Sequence, residues 1–89
     1  MKVVRAENEF FIEIGGEKAV LGYKIIGNEM DIYHAFTPES LRGRGLAEKL
    51  ATAAFEFAKE NNLKVVPTCP YVRDYFLPKQ KEFGGVVKK

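Results

Sequence analysis

Tryptophan is absent from this chain, cysteine and histidine occur once each, and neither sign of charge dominates. Each scarcity removes a class of explanation. One cysteine, Cys69, makes an intrachain disulfide impossible, so stability must come from packing, and a reducing intracellular compartment fits best. Cys69 and the lone His34 stand 35 positions apart, which is no metal-ligand spacing, and no metal site is expected. A net charge of +2 with 29% charged residues lacks the one-sided basic excess of a polyanion binder, although Lys88-Lys89 is locally basic. Nucleic acid is therefore not indicated as a partner. No apolar run approaches the ~20 residues that span a bilayer, and Arg5, Glu7 and Glu9 break up the apolar region a signal peptide requires. The expectation is a cytoplasmic protein with no membrane partner. Its 89 residues make a single domain, 1–89, with room for one core and one site.

What is present reads as a sheet followed by a helix. Lys2 to Ala6 predicts a short strand, Glu7-Asn8-Glu9 a turn, and Phe10 to Ile14 a second strand with Phe10, Ile12 and Ile14 on one face. Gly15-Gly16 supplies the positive dihedrals of a tight hairpin before a third strand, Lys18 to Ile26. Gly27-Asn28 is another turn, and Glu29 to Phe36 becomes the fourth strand, with Met30, Ile32, His34 and Phe36 sharing a face. From Leu46, the positions Leu50, Ala53, Ala54 and Phe57 form an apolar helical stripe widened by Ala47 and Ala58, ending at Asn61-Asn62. Phe55 lies outside that stripe; either a further segment, such as the C-terminal one, covers it or it stands singly exposed. Leu63 to Val66 predicts a fifth strand parallel to the fourth, because a helix separates them. Pro67 and Pro70 stop pairing, Tyr71 to Leu77 predicts a short helix ended by Pro78, and the tail from Lys79 is polar and loosely specified. The class is α+β: a mixed, mostly antiparallel five-stranded sheet packed by one long helix, with a short C-terminal helix.

The joint between the fourth strand and the long helix carries the chemistry. Phe36-Thr37-Pro38-Glu39-Ser40-Leu41-Arg42-Gly43-Arg44-Gly45-Leu46-Ala47 ends in a Gly-rich turn at a helix start, where unpaired N–H groups and the helix dipole favour anions. Gly43 and Gly45 let a diphosphate lie against the main chain, and Arg42 and Arg44 add full charges. Neither G-x-x-x-x-G-K-[ST] nor G-x-G-x-x-G is present. The pattern that remains, Arg42-x-x-Gly45-x-Ala47 within Pro38-x-x-Leu41-Arg42-Gly43-x-Gly45-Leu46-Ala47-x-x-Leu50, resembles the pyrophosphate-binding motif of the GNAT superfamily of acetyl-CoA-dependent N-acetyltransferases. A second match, Cys69-Pro70-Tyr71 after the fifth strand, is similar to a short single-domain branch of that superfamily. The resemblance covers roughly residues 2 to 76. It departs from a typical member between the first two strands, where one or two helices are usual and only Glu7-Asn8-Glu9 stands here.

The resemblance implies a minimal GNAT fold and the transfer of an acetyl group from acetyl-CoA, as co-substrate, to an amine of an unidentified acceptor, a small molecule or a protein lysine or N-terminus. It implies that the backbone from Gly43 to Ala47, Leu46 included, holds the diphosphate, that Phe36 and Thr37 pair with the pantetheine amides, and that Cys69 sits near the thioester. Such chemistry asks for a base and for polarisation of the thioester carbonyl. His34 is a candidate base, or else a hydrogen-bonded core residue. Cys69 either accepts the acetyl group or lines the pocket. Tyr71 and Tyr75 both lie near enough in sequence to be the tyrosine that protonates the leaving thiolate in larger relatives. Glu29, Asp31 or Glu39, if near the cleft, would favour a cationic amine. Two other classes stay open: a CoA-binding or regulatory module without turnover, and a single-strand nucleic-acid binder stacking bases on Phe10, Phe11, Tyr23 and Tyr33.

Overall fold

A computed structural model describes residues 2–88; Lys89 of the basic tail lies outside the described residues. The five strands are β1 (Val4–Arg5), β2 (Glu9–Ile14), β3 (Glu17–Ile26), β4 (Glu29–Phe36) and β5 (Lys64–Pro67). They form one sheet in chain order, antiparallel except for the last pair, where β5 runs parallel to β4. Both tight turns depend on left-handed glycine: Gly15 and Gly16 join Ile14 to its partner Glu17, and Gly27 begins the turn between Ile26 and Glu29. β1 is shorter than the expected Lys2 to Ala6, but its connection to β2 is fixed from inside the core. The buried Tyr23 sends its hydroxyl to the Ala6 carbonyl at 2.7 Å, and the Tyr23 N–H donates to the Asn8 carbonyl.

Helix α1 (Leu46–Glu60) is the crossover from β4 to β5 and packs on one face of the sheet. Its end follows the Asn61-Asn62 expectation. Asn62 is left-handed, Leu63 N–H reaches back to the Ala58 carbonyl, and Asn61 Nδ2 donates to the Phe57 carbonyl. The buried stripe is Leu46, Leu50, Ala51, Ala54, Phe55 and Ala58, rotated from the expected one: Ala51 and Phe55 are inside while Ala53 and Phe57 are half-buried. The rotation has a cause in the C-terminal chain. A π-helical turn, Val72–Phe76, runs on into the short helix α2 (Leu77–Lys79), and a 3-10 segment, Lys81–Val86, folds back over α1. Phe76 and Phe83 bring their rings to 5.2 and 5.3 Å from Phe55, so Phe55 is covered and not singly exposed.

Two expectations are corrected by this segment. The helix does not end before Pro78 but carries it, because the wider π turn ahead relieves the proline ring's clash with the preceding carbonyls. The tail from Lys79 is specified rather than loose: Phe83 and Val86 are buried, Val87 bridges to Val65, and Lys88 N–H donates to the Val65 carbonyl. No helix among the described residues is long and apolar enough to cross a membrane.

Candidate active site at the strand opening

β4 outruns its neighbour. Pairing with β5 ends at Ile32 and Pro67, and one further bond, Cys69 N–H to the Ile32 carbonyl at 2.8 Å, marks the point of divergence. Beyond it β4 continues to Phe36, held on its other side by β3 through Gly22 to Val20. Residues 33–36 thus show an unpaired strand edge to the gap, able to hydrogen-bond an extended ligand as a further strand would. Phe36 is half-exposed and Thr37 half-buried at the mouth.

At this opening β4 contains a bulge that alternation alone does not reveal. Gly22 pairs with His34 and Tyr23 with Ile32, leaving Tyr33 as an extra residue. The phase of the strand changes there. Met30 and Ile32 enter the core, but after the bulge it is Ala35, opposite the buried Leu21, that packs against the core, while His34 and Phe36 are exposed. The expected common face of Met30, Ile32, His34 and Phe36 is therefore corrected, and His34 is not a core histidine. A Cβ built on Gly22 would lie 3.4 Å from both the Tyr33 ring and His34 Cβ, so Tyr33 and His34 share the face away from α1.

The Gly-rich turn closes the far end of the gap. Leu41 and Leu46, both buried, anchor its two sides, and Arg42 Nε donates to the Thr37 carbonyl at 3.1 Å, bracing it from within. Gly43 and Gly45 take φ of 83° and 72°, values that L residues rarely adopt, and nothing lies within 4 Å of where a Cβ would project from either. Gly45 is the N-cap and has no side chain to satisfy the first helical turn. Among the described residues, no protein acceptor meets the N–H groups of residues 43–48; the first helical bond runs from Lys49 N–H to the Gly45 carbonyl. Ala47 is half-buried. Arg44 is exposed and lines a shallow recess with Gly45, Lys49, Glu48 and Glu56, so both signs of charge stand on this side of the turn.

On the other flank, Tyr71, Tyr75, Phe76, Lys79 and Gln80 meet Glu48 around a recess of about 140 Å³. Tyr71 stacks on Tyr75, and Gln80 Nε2 holds the Glu48 carboxylate at 3.1 Å. Burial, followed by the charges of Glu48 and Cys69, raises the Tyr71 phenol above its ordinary value, so it keeps its proton throughout the neutral range. Tyr75 is 64% exposed, and of the two tyrosines it is the less enclosed. Cys69 is buried in the core cluster, with Arg73 N–H on its carbonyl. His34 and Cys69 are close along the strands but face opposite ways, one to the open face and the other into the core.

Three comparisons with known proteins agree with this geometry. Residues 9–86 match a family model described as GCN5-related N-acetyl-transferase. The chain is 38% identical over 74 residues to protein NATD1 of Xenopus tropicalis, covering 80% of this chain and 68% of that protein. Against protein NATD1 of Mus musculus the identity is again 38% over 74 residues, covering 80% and 67%. The solution NMR structure of a GCN5-like protein from Staphylococcus aureus superposes with a TM-score of 0.76 at 30% identity, covering 98% of this chain and 87% of that one.

Proposed function

The chain belongs to the GCN5-related N-acetyltransferase family, and we propose that it moves an acetyl group from acetyl-CoA to an amine, using the opening between β4 and β5 as its active site within a single domain. The observation that carries this reading is the run of unmet N–H groups at 43–48, pinned by Leu41 and Leu46 at the end of an unpaired strand edge. The residues fit the co-substrate. The turn, from Gly43 through Arg44, Gly45 and Leu46 to Ala47, receives the diphosphate on its backbone, with Arg42 and Arg44 adding charge. The β4 edge at Phe36 and Thr37 receives the pantetheine amides. Bound there, acetyl-CoA supplies a thioester open to attack by an amine.

His34, exposed beside the bulge, takes the proton of the incoming amine, and Tyr71 gives its own to the departing sulfur. Cys69 contributes its backbone N–H at the point of divergence and takes no covalent part. A covalent route needs a thiol presented to the thioester, and a side chain 2% exposed within the core cluster presents none. A binding module without turnover would use the same turn and strand edge and would need neither His34 nor Tyr71.

The first test is thermal. Acetyl-CoA at about a hundred times its Kd adds about 2.7 kcal/mol to stability, which for a domain of this size raises Tm by roughly 10–20 °C. An unchanged Tm, with no amide shifts at residues 43–47 by NMR, overturns the proposal.

Tyr71→Phe separates an enzyme from a binding module. It is expected to lower kcat roughly a hundredfold to ten-thousandfold while acetyl-CoA affinity is retained. The sign of the pH effect follows from the raised phenol. Its proton is present below pH 10 and is lost only above the ordinary tyrosine range, so wild-type kcat falls on the alkaline side as Tyr71 ionises, whereas Tyr71→Phe lacks that limb. The same shift makes the fold lose stability as pH rises past 10, since the unfolded chain releases this proton first. A Tyr71→Phe variant with full kcat assigns the proton elsewhere.

A further inference from the structure

Glu48 has two destinations, and one contact decides between them. Counted from the N-cap Gly45 it is the third residue of α1, the position from which a glutamate reaches back over its own first turn to the N-cap amide. That bond is not made. Gly45 lacks the hydroxyl that would complete a capping box, and the N–H groups of the first turn stay unmet among the described residues. The Glu48 carboxylate instead accepts from Gln80 Nε2 at 3.1 Å. Both places are within its reach, because Glu48 borders the recess of Arg44 and Gly45 as well as the recess of Tyr71 and Gln80. The first is open: nothing lies within 4 Å of where a Gly45 Cβ would project.

Gln80 is the fixed member of the pair. Its N–H donates to the Leu77 carbonyl, its own carbonyl accepts from Phe83 N–H, and Phe76 and Phe83 before and after it are buried. Lys79 lines the same recess, yet no ion pair joins it to Glu48 among the described residues. From this geometry we propose that Gln80 is a positioning residue for the co-substrate: it holds Glu48 off the start of its own helix and so keeps the Gly-rich turn open to an anion. Released, the carboxylate swings back and takes the amides that a diphosphate would use. The chain then inhibits itself. Apparent affinity falls by the fraction of molecules whose turn is still open, and a carboxylate seated at the helix start also repels a second anion. Gln80 closes the segment that carries Tyr71, so the turn is open when that segment is docked on α1 and closes when it is not. That the anion is acetyl-CoA rests on the transferase reading above; the switch of Glu48 does not.

Gln80→Ala, Glu48→Ala and the two together, each in the whole protein, test the two claims separately. By NMR without acetyl-CoA, Gln80→Ala is expected to move at least one amide proton among residues 45–47 downfield as the carboxylate bonds to it, and the double variant is expected to lack that shift. In calorimetric titration, Gln80→Ala is expected to bind acetyl-CoA about fivefold to tenfold more weakly than wild type. In the Glu48→Ala background the same change is expected to have no effect on affinity. A loss caused only by a loosened tail would persist there, and that result overturns the proposal. So does an unchanged affinity in Gln80→Ala, or the absence of any shift at residues 45–47. Gln80→Glu, which sets a like charge against Glu48 at nearly equal volume, replaces Gln80→Ala if alanine disturbs the amide spectrum as a whole, and it is expected to weaken binding at least as much. An amide shift in Gln80→Ala, with no acetyl-CoA binding even in wild type, would sink the transferase reading and leave the switch standing.

Discussion

Gly45→Glu is expected to weaken acetyl-CoA binding by roughly a hundredfold or more while leaving a folded protein. The substitution acts in two ways that can be separated. Gly45 sits at φ 72°, so any L residue there is strained, at a cost of about 1–2 kcal/mol. Its Cβ would enter open space, so no core contact is lost and the strain alone does not unfold the chain. The larger effect is electrostatic. A carboxylate about 5 Å from one diphosphate charge, at an effective dielectric of about 20, costs roughly 3 kcal/mol, which is on the order of a hundredfold in affinity. Gly45→Ala carries the strain without the charge and is expected to lose only a fraction of that. Calorimetric titration of both variants with acetyl-CoA distinguishes them, and an undiminished affinity in Gly45→Glu would move the diphosphate away from this turn.

The parts of the site that were legible in the sequence are those written as local backbone chemistry. Gly43 and Gly45 between an extended run and a helical stripe predict a turn of positive dihedrals at a helix start, and the parallel position of β5 follows from the intervening helix. Gly15-Gly16, Gly27-Asn28 and Asn61-Asn62 likewise mark the turns and helix end that form. What escaped was non-local. Nothing in the alternation of β4 shows that Tyr33 is an extra residue, because the bulge arises from a pairing shift against Gly22 and Tyr23 on the neighbouring strand. Reading the alternation straight through therefore put His34 on the core face. Gly22 was the available signal: a glycine in the middle of a strand often marks a bulge or the close approach of another group, and here the Tyr33 ring approaches it. The enclosure of Tyr71 and the burial of Phe83 and Val86 depend on a return of the tail that composition does not encode.

That return makes Phe55→Ala the substitution with the largest expected effect on stability, about 3–5 kcal/mol. A chain of 89 residues has a total stability on the order of 4–13 kcal/mol, so the loss is a large fraction of the whole. The size of the effect follows from what Phe55 joins. Its ring is fully buried, with Phe76 from the segment that carries Tyr71 on one side and Phe83 from the tail on the other, and these two also contact each other at 6.0 Å. Removing it leaves a cavity whose walls belong to three segments distant in sequence, which collapse poorly because each is held elsewhere: Lys64 Nζ on the Gly85 carbonyl, Gln80 on Glu48, and Cys69 on Ile32. Ending the chain at Gln80 removes Phe83 and is expected to destabilise substantially as well. The two changes together should cost less than their sum, because they delete the same contacts. Urea unfolding of the two single changes and the combination measures this directly. A Phe55→Ala loss below about 1 kcal/mol, or strict additivity with the truncation, would mean that the aromatic trio does not join the tail to the helix. The consequence reaches the candidate site, since the tail and α1 together hold the segment that carries Tyr71. Where Phe55→Ala remains folded, it is expected to weaken acetyl-CoA binding without touching any residue of the turn.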